Sequence, residues 1–143
     1  MSTSRKADKG WTVLDHTADV RLEVRGSDLK ELFSNAAMAF VDLAAPGVPS
    51  GSDTELDVFL EADTVEELLV DWLRELLFLK ETKGFIPEES RFIKISQNVI
   101  KARLMGRLGC HEKGGAEVKA VTYHGLSVQE RDGGYASRIV FDI

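Results

Sequence analysis

Asp15-His16-Thr17-Ala18-Asp19 brackets an imidazole with two carboxylates, immediately ahead of the alternating run Val20-Arg21-Leu22-Glu23-Val24. Backbone at the mouth of a strand bends readily, so both acids can point one way. Carboxylate oxygens are hard ligands suited to Ca²⁺ or Mg²⁺, and such cations gather oxygens from several chain segments. The far end of the sequence, Phe141-Asp142-Ile143, adds a side-chain acid beside the terminal α-carboxylate. An Asp ahead of a strand also serves as a turn-former or cap. The pentapeptide alone therefore leaves both roles open.

A second polar constellation is Lys119-Ala120-Val121-Thr122-Tyr123-His124. In an alternating strand over 118–128, Val118, Ala120, Thr122, His124, Leu126 and Val128 share one face. Thr122 and His124 then interrupt an apolar row, and an unpaired buried hydroxyl or imidazole costs about 1–3 kcal/mol. Each should find a partner or reach a polar rim, either as an ordinary satisfied group or as support for the Asp15/Asp19 turn. Lys119 can meet an anionic ligand or an acidic partner surface. Cys110-His111 has no second pair to complete a metal site.

At 143 residues the chain fits one domain with a core of its own. With 43% hydrophobic and 29% charged residues, the composition is that of a globular protein. The net charge of −6 argues against a protein that grips nucleic acid unaided, since phosphate binding needs a basic surface. A single cysteine excludes an intrachain disulfide framework. No apolar run approaches the roughly 20 residues of a membrane span, and Met-Ser-Thr-Ser-Arg-Lys lacks a signal peptide's apolar segment. A cytoplasmic protein without a membrane partner is expected.

The elements that must carry these residues follow from periodicity. Residues 1–10 read as a flexible lead-in to one domain over 11–143. Trp11–Leu14 and Val20–Arg25 read as strands. Asp28 caps a helix, with Glu31 as its reciprocal partner and Leu29, Leu32, Phe33, Ala36, Phe40 and Leu43 on one face. Pro46, Gly47 and Pro49 end it. Leu56, Val58 and Leu60 alternate as a strand, and a Thr64-x-x-Glu67 box opens a second helix striped by Val65, Leu68, Leu69, Trp72, Leu76 and Leu79. The likeness of 29–33 to 65–69 makes a duplicated strand-helix unit a candidate. Strands follow at Phe92–Ser96, along Ile100, Ala102, Leu104, Gly106 and Leu108, over Val118–Val128, and over Tyr135–Ile143. Asp132-Gly133-Gly134 reads as a hairpin turn. Two helices burying their stripes on a mixed sheet give a single-domain α+β fold. No GxGxxG, Walker loop or zinc-spaced pair appears.

Taken together and in order, these motifs resemble the archease family. They are His16-Thr17-Ala18-Asp19, the Gly26–Phe40 segment of the form G-x-x-L-x-x-L-F-x-x-A-A-x-A, Leu68–Leu73, Lys119–His124, and Phe141-Asp142-Ile143. The resemblance spans almost the whole chain. It departs at Asp15, where the family commonly carries Glu, which places Asp15 outside the ligand set.

The resemblance implies a protein that is not itself an enzyme. Archeases assist an RtcB-type RNA ligase in tRNA splicing and RNA repair, promoting GTP-dependent guanylylation of the ligase and its repeated turnover. GTP and RNA are then met only through the ligase. It also implies a divalent-metal site built from Asp19, Asp142 and Ile143, taking Ca²⁺ or Mg²⁺, with Mn²⁺ in the partner complex. Asp15, His16, Thr17, Lys119, Thr122 and His124 stand as supporting or partner-contact candidates. Two alternatives remain: a metal-dependent phosphohydrolase with His16 or His124 as general base, and a non-catalytic interaction domain.

Overall fold

Capping chemistry fixes both helices where the sequence places them. In the computed structural model, which describes residues 9–16, 19–111, 114–123 and 126–143, α1 runs over Leu29–Ala44 and α2 over Val65–Lys83. The Asp28 carboxylate accepts from the Glu31 N–H at 2.8 Å, and Glu31 in turn accepts from the Ser27 N–H at 2.7 Å. Thr64 accepts from the Glu67 N–H at 3.1 Å. Gly84, at φ 61°, ends α2 in the left-handed conformation that glycine adopts without strain.

Among the described residues eight strands accompany these helices: β1 Trp11–His16, β2 Asp19–Gly26, β3 Thr54–Glu61, β4 Ile86–Ile95, β5 Val99–Arg107, β6 Ala120–Thr122, β7 Val128–Arg131 and β8 Gly134–Asp142. The α+β class with two helices holds. The strands, however, divide between two sheets rather than forming one mixed sheet. Five of them are ordered β1-β2-β8-β6, with β7 also on β8, and three are ordered β3-β5-β4; every pairing is antiparallel among the described residues. The strand-helix likeness stops at the caps, because β2 lies inside the first sheet while β3 is an edge of the second.

One core joins both sheets and both helices. Trp72 on α2 is fully buried, donates its indole N–H to the Phe33 carbonyl of α1 at 3.0 Å, and lies 5.4 Å from the Phe92 ring of β4. Phe40 of α1 meets Phe141 of β8 at 6.0 Å.

The expected 118–128 strand is broken into β6 and β7; Val118 and Leu126 are buried as expected, but within β6 the inward face is reversed. Val121, 1% exposed, lies opposite Phe141 and faces the core, whereas Ala120 and Thr122 are half-buried. The inward row of β8, Ile139 and Phe141, sets this parity, because residues paired across an antiparallel ladder share a face. Helix α2 holds the broken edge in place. Arg74 donates to the Val121 carbonyl at 3.2 Å, and Glu66 accepts from the Val128 N–H at 3.1 Å. Leu108, expected inward, lies beyond the end of β5 and is exposed. β4 starts at Ile86, ahead of the expected Phe92, and carries two bulges that blur its alternation. The Asp132-Gly133 turn is as expected, with positive φ at both positions as a two-residue hairpin requires.

Candidate functional site

Strands β2 and β8 pair along their whole lengths, from Gly26 opposite Tyr135 to Asp19 opposite Asp142. The acidic bend and the carboxy-terminal segment therefore meet at one end of the five-stranded sheet. Val20 and Phe141, the next rung, are buried, so Asp19 and Asp142 project from the opposite, outer face. Two carboxylates directly across an antiparallel ladder have Cβ atoms about 5 Å apart, and like charges so placed are destabilising.

A cation beside this pair is held loosely. Arg21, two residues along the same face of β2, has its Nε 3.8 Å from Asp19 Oδ1 in a pair whose acid is half-buried and whose base is exposed, and at that separation it contributes little. On the other side of β8, Ala120 stands opposite Asp142, and the Lys119 N–H donates to the Asp142 carbonyl at 2.7 Å. That bond uses the main-chain oxygen of Asp142 and leaves its carboxylate to the outer face.

Ile143 works in the other direction. Its side chain packs against the core and lines a cavity of about 780 Å³ with Trp11, Val13, Leu22, Leu43 and Lys119. An apolar anchor after Asp142 thus pins the strand end.

The remaining sequence candidates sort by register. Asp15 lies opposite Arg21 and His16 opposite Val20 on β1, after an irregularity between Val13 and Asp15. Thr122 lies opposite Val140, two positions along β6 from the Asp142 level, on the outer face rather than in the inward row expected of it. Thr17 and His124 lie outside the described residues. Arg21 and Arg74 escaped the sequence reading. Arg21 was legible as one member of the alternating acid-base row Asp19, Arg21, Glu23, Arg25, whereas nothing local marks Arg74 as the support of β6.

Among the described residues no three His, Cys, Asp or Glu side chains gather closely enough to hold a metal ion. Any cation at the acid pair would need main-chain oxygen as well. The donor set of Asp19, Asp142 and Ile143 backbone oxygen is all hard oxygen, which fits Ca²⁺ or Mg²⁺. The opposed carboxylates give such an ion a reason to bind.

A family model described as the archease protein family matches residues 11–143. The chain belongs to the archease family. It is 39% identical over 135 residues to the protein archease of Archaeoglobus fulgidus, covering 93% of this chain and 98% of that one. It is 34% identical over 140 residues to the protein archease of Methanothermobacter thermautotrophicus, covering 94% and 99%. The solution structure of Methanobacterium thermoautotrophicum protein 1598 superposes with a TM-score of 0.72 at 28% identity, over 94% of this chain and 99% of that one. A Thermotoga maritima crystal structure, described as an archease and possible chaperone, shares the fold with a TM-score of 0.68 at 23% identity over 92% of this chain and 96% of that one. Within this archease-family fold, no helix among the described residues is long and apolar enough to cross a membrane.

Proposed function

We propose that this chain is a non-enzymatic activator of an RtcB-type RNA ligase, promoting GTP-dependent guanylylation of the ligase and its repeated turnover. The observation that carries the reading is the opposition of Asp19 and Asp142 across β2 and β8 in an archease-family fold. The two carboxylates and the backbone oxygen of Ile143 hold a divalent cation at the end of the sheet. When bound, that ion supplies concentrated positive charge to phosphate oxygens.

The chain's own residues build and present this tip. Ile143 anchors the strand end in the core, the Lys119 N–H fixes the Asp142 main chain, and Arg21 steadies Asp19. The Lys119 side chain, exposed beside Ile143, meets anionic groups of the partner site. A net charge of −6 suits a protein that leaves RNA to its partner. The possible-chaperone description of the Thermotoga protein agrees with action on another protein. Work beside the ligase places the chain in the cytoplasm.

The test is a GTP-transfer assay on the ligase with and without this protein after co-purification. Asp19→Ala and Asp142→Ala each abolish stimulation while circular dichroism stays that of the parent. Full stimulation by either variant overturns the reading.

A further inference from the structure

Strand β1 is an edge of the five-stranded sheet, and the use of its main chain fixes what that edge offers. Among the described residues it pairs with β2 alone. The Arg25 N–H donates to the Gly10 carbonyl at 2.8 Å, one residue ahead of the pair Trp11 and Val24. Antiparallel ladders alternate bonded and non-bonded pairs. Thr12 therefore shares the bonded kind of pair with Glu23, whereas Trp11 and Val13 turn their N–H and C=O groups to the open side. Such a row is a template for another strand. Strand edges are commonly guarded by charge or proline, but Trp11-Thr12-Val13-Leu14 holds neither. The irregularity between Val13 and Asp15 ends the run.

The side chains add a second observation. Val13 lies opposite Leu22 and shares its inward face, yet Val13 is 54% exposed while Leu22 is 1% exposed. Beneath Val13 lies the cavity of about 780 Å³, whose walls include Trp11, Leu43 and Ile143. An inward-facing valine over an open cavity lacks much of its packing. Every second side chain of an added strand points the same way as Val13 and lies over the mouth of that cavity.

We propose that β1 is the docking edge for an extended segment of the partner ligase, which joins the five-stranded sheet as a further strand and seats an apolar side chain beside Val13. This rests on the proposed action on a ligase and names the contact that holds the two proteins together. Main-chain bonds to Trp11 and Val13 hold the segment, and the cavity selects its side chain. Strands β1 and β8 flank β2, so two strand spacings, about 10 Å, separate this edge from the strand of Asp142. Ile143, directly after Asp142, is itself a wall of the cavity. A partner whose nucleotide site meets the acid pair therefore has the β1 edge within reach. A second copy of this chain is a poorer occupant, because its β1 would bring Trp11 and Val13, which line the cavity rather than fill it.

Amide exchange of the isotope-labelled full chain, with and without the ligase, tests this residue by residue. In the free chain Trp11 and Val13 exchange fast and Thr12 slowly; the ligase slows Trp11 and Val13 about tenfold or more and changes Thr12 little. Val13→Pro removes an N–H that β2 does not use, so circular dichroism stays that of the parent, and affinity for the ligase by titration calorimetry falls about tenfold. Val13→Asp, at a site more than half exposed, sets a charge where the apolar side chain docks and loses affinity similarly. Val13→Ile keeps the N–H and the apolar surface and binds like the parent. If the parent stimulates guanylylation while Trp11 and Val13 exchange as in the free chain, or if the Pro and Asp variants bind like the parent, the docking edge is overturned and the proposed activity stands. A parent that neither binds nor stimulates the ligase overturns both. Protection at Trp11 and Val13 that grows with the chain's own concentration, without ligase, overturns it in favour of a second copy.

Discussion

At the scale of single residues, the opposed Asp19 and Asp142 make a prediction about stability that needs no ligase. Removing one charge relieves a cross-strand repulsion of about 0.2–1 kcal/mol, so Asp19→Asn or Asp142→Asn raises Tm slightly in metal-free buffer. Adding Ca²⁺ or Mg²⁺ raises the parent's Tm, since a ligand held only by the folded state stabilises it by RT ln(1 + [L]/Kd), and leaves both variants flat. Calorimetric melts with and without chelator check this; equal metal responses in parent and variants would sink the oxygen-donor site. Both acids were legible in the sequence because each stands beside a strand end. Their opposition was not, since it depends on how far β2 and β8 slide past one another. The side chain of Ile143 was legible only as a chain end, and its anchoring in the core emerges from the cavity it shares with Trp11 and Leu22.

At the scale of elements, the helices were legible nearly to the residue because their start signals are local. Thr64→Ala removes the α2 cap and costs about 1 kcal/mol, read as a lower midpoint in urea. Trp72→Ala costs about 3–5 kcal/mol, since its ring joins α1, α2 and β4. A loss below 1 kcal/mol would show that the three elements do not depend on it. Gly84→Ala is strained twice, by its positive φ and by the approach of Cys110 and His111 to the added carbon. The 118–128 stretch misled the sequence reading for a physical reason. Alternation assumes one continuous strand, but β8 offers this edge two separate docking places, 140–142 and 134–137, and the chain leaves the ladder between them. No local pattern announces that departure; the bonds from Arg74 and Glu66 that secure it come from a distant helix.

At the scale of the whole molecule, the single core linking both sheets predicts one cooperative transition. Tryptophan fluorescence, reporting on Trp11 of the five-stranded sheet and buried Trp72 of α2, and far-ultraviolet circular dichroism should trace the same urea curve; separated midpoints would mean that the two sheets unfold independently. The division into two sheets was invisible to periodicity, which reports which face of a strand is covered and not which strand lies beside it. One placement has a further consequence. β8 is synthesised after every other element, yet β2, β6 and β7 all take their ladder partners from it. A ribosome-bound chain lacking that last stretch can form its helices and its three-stranded half, while the other half waits without its central plank. Closing a ladder between segments so distant in sequence is slow. The opposition of Asp19 and Asp142 is therefore among the final features of the protein to come into being, and newly made copies pass through an interval in which they are folded in part but lack it.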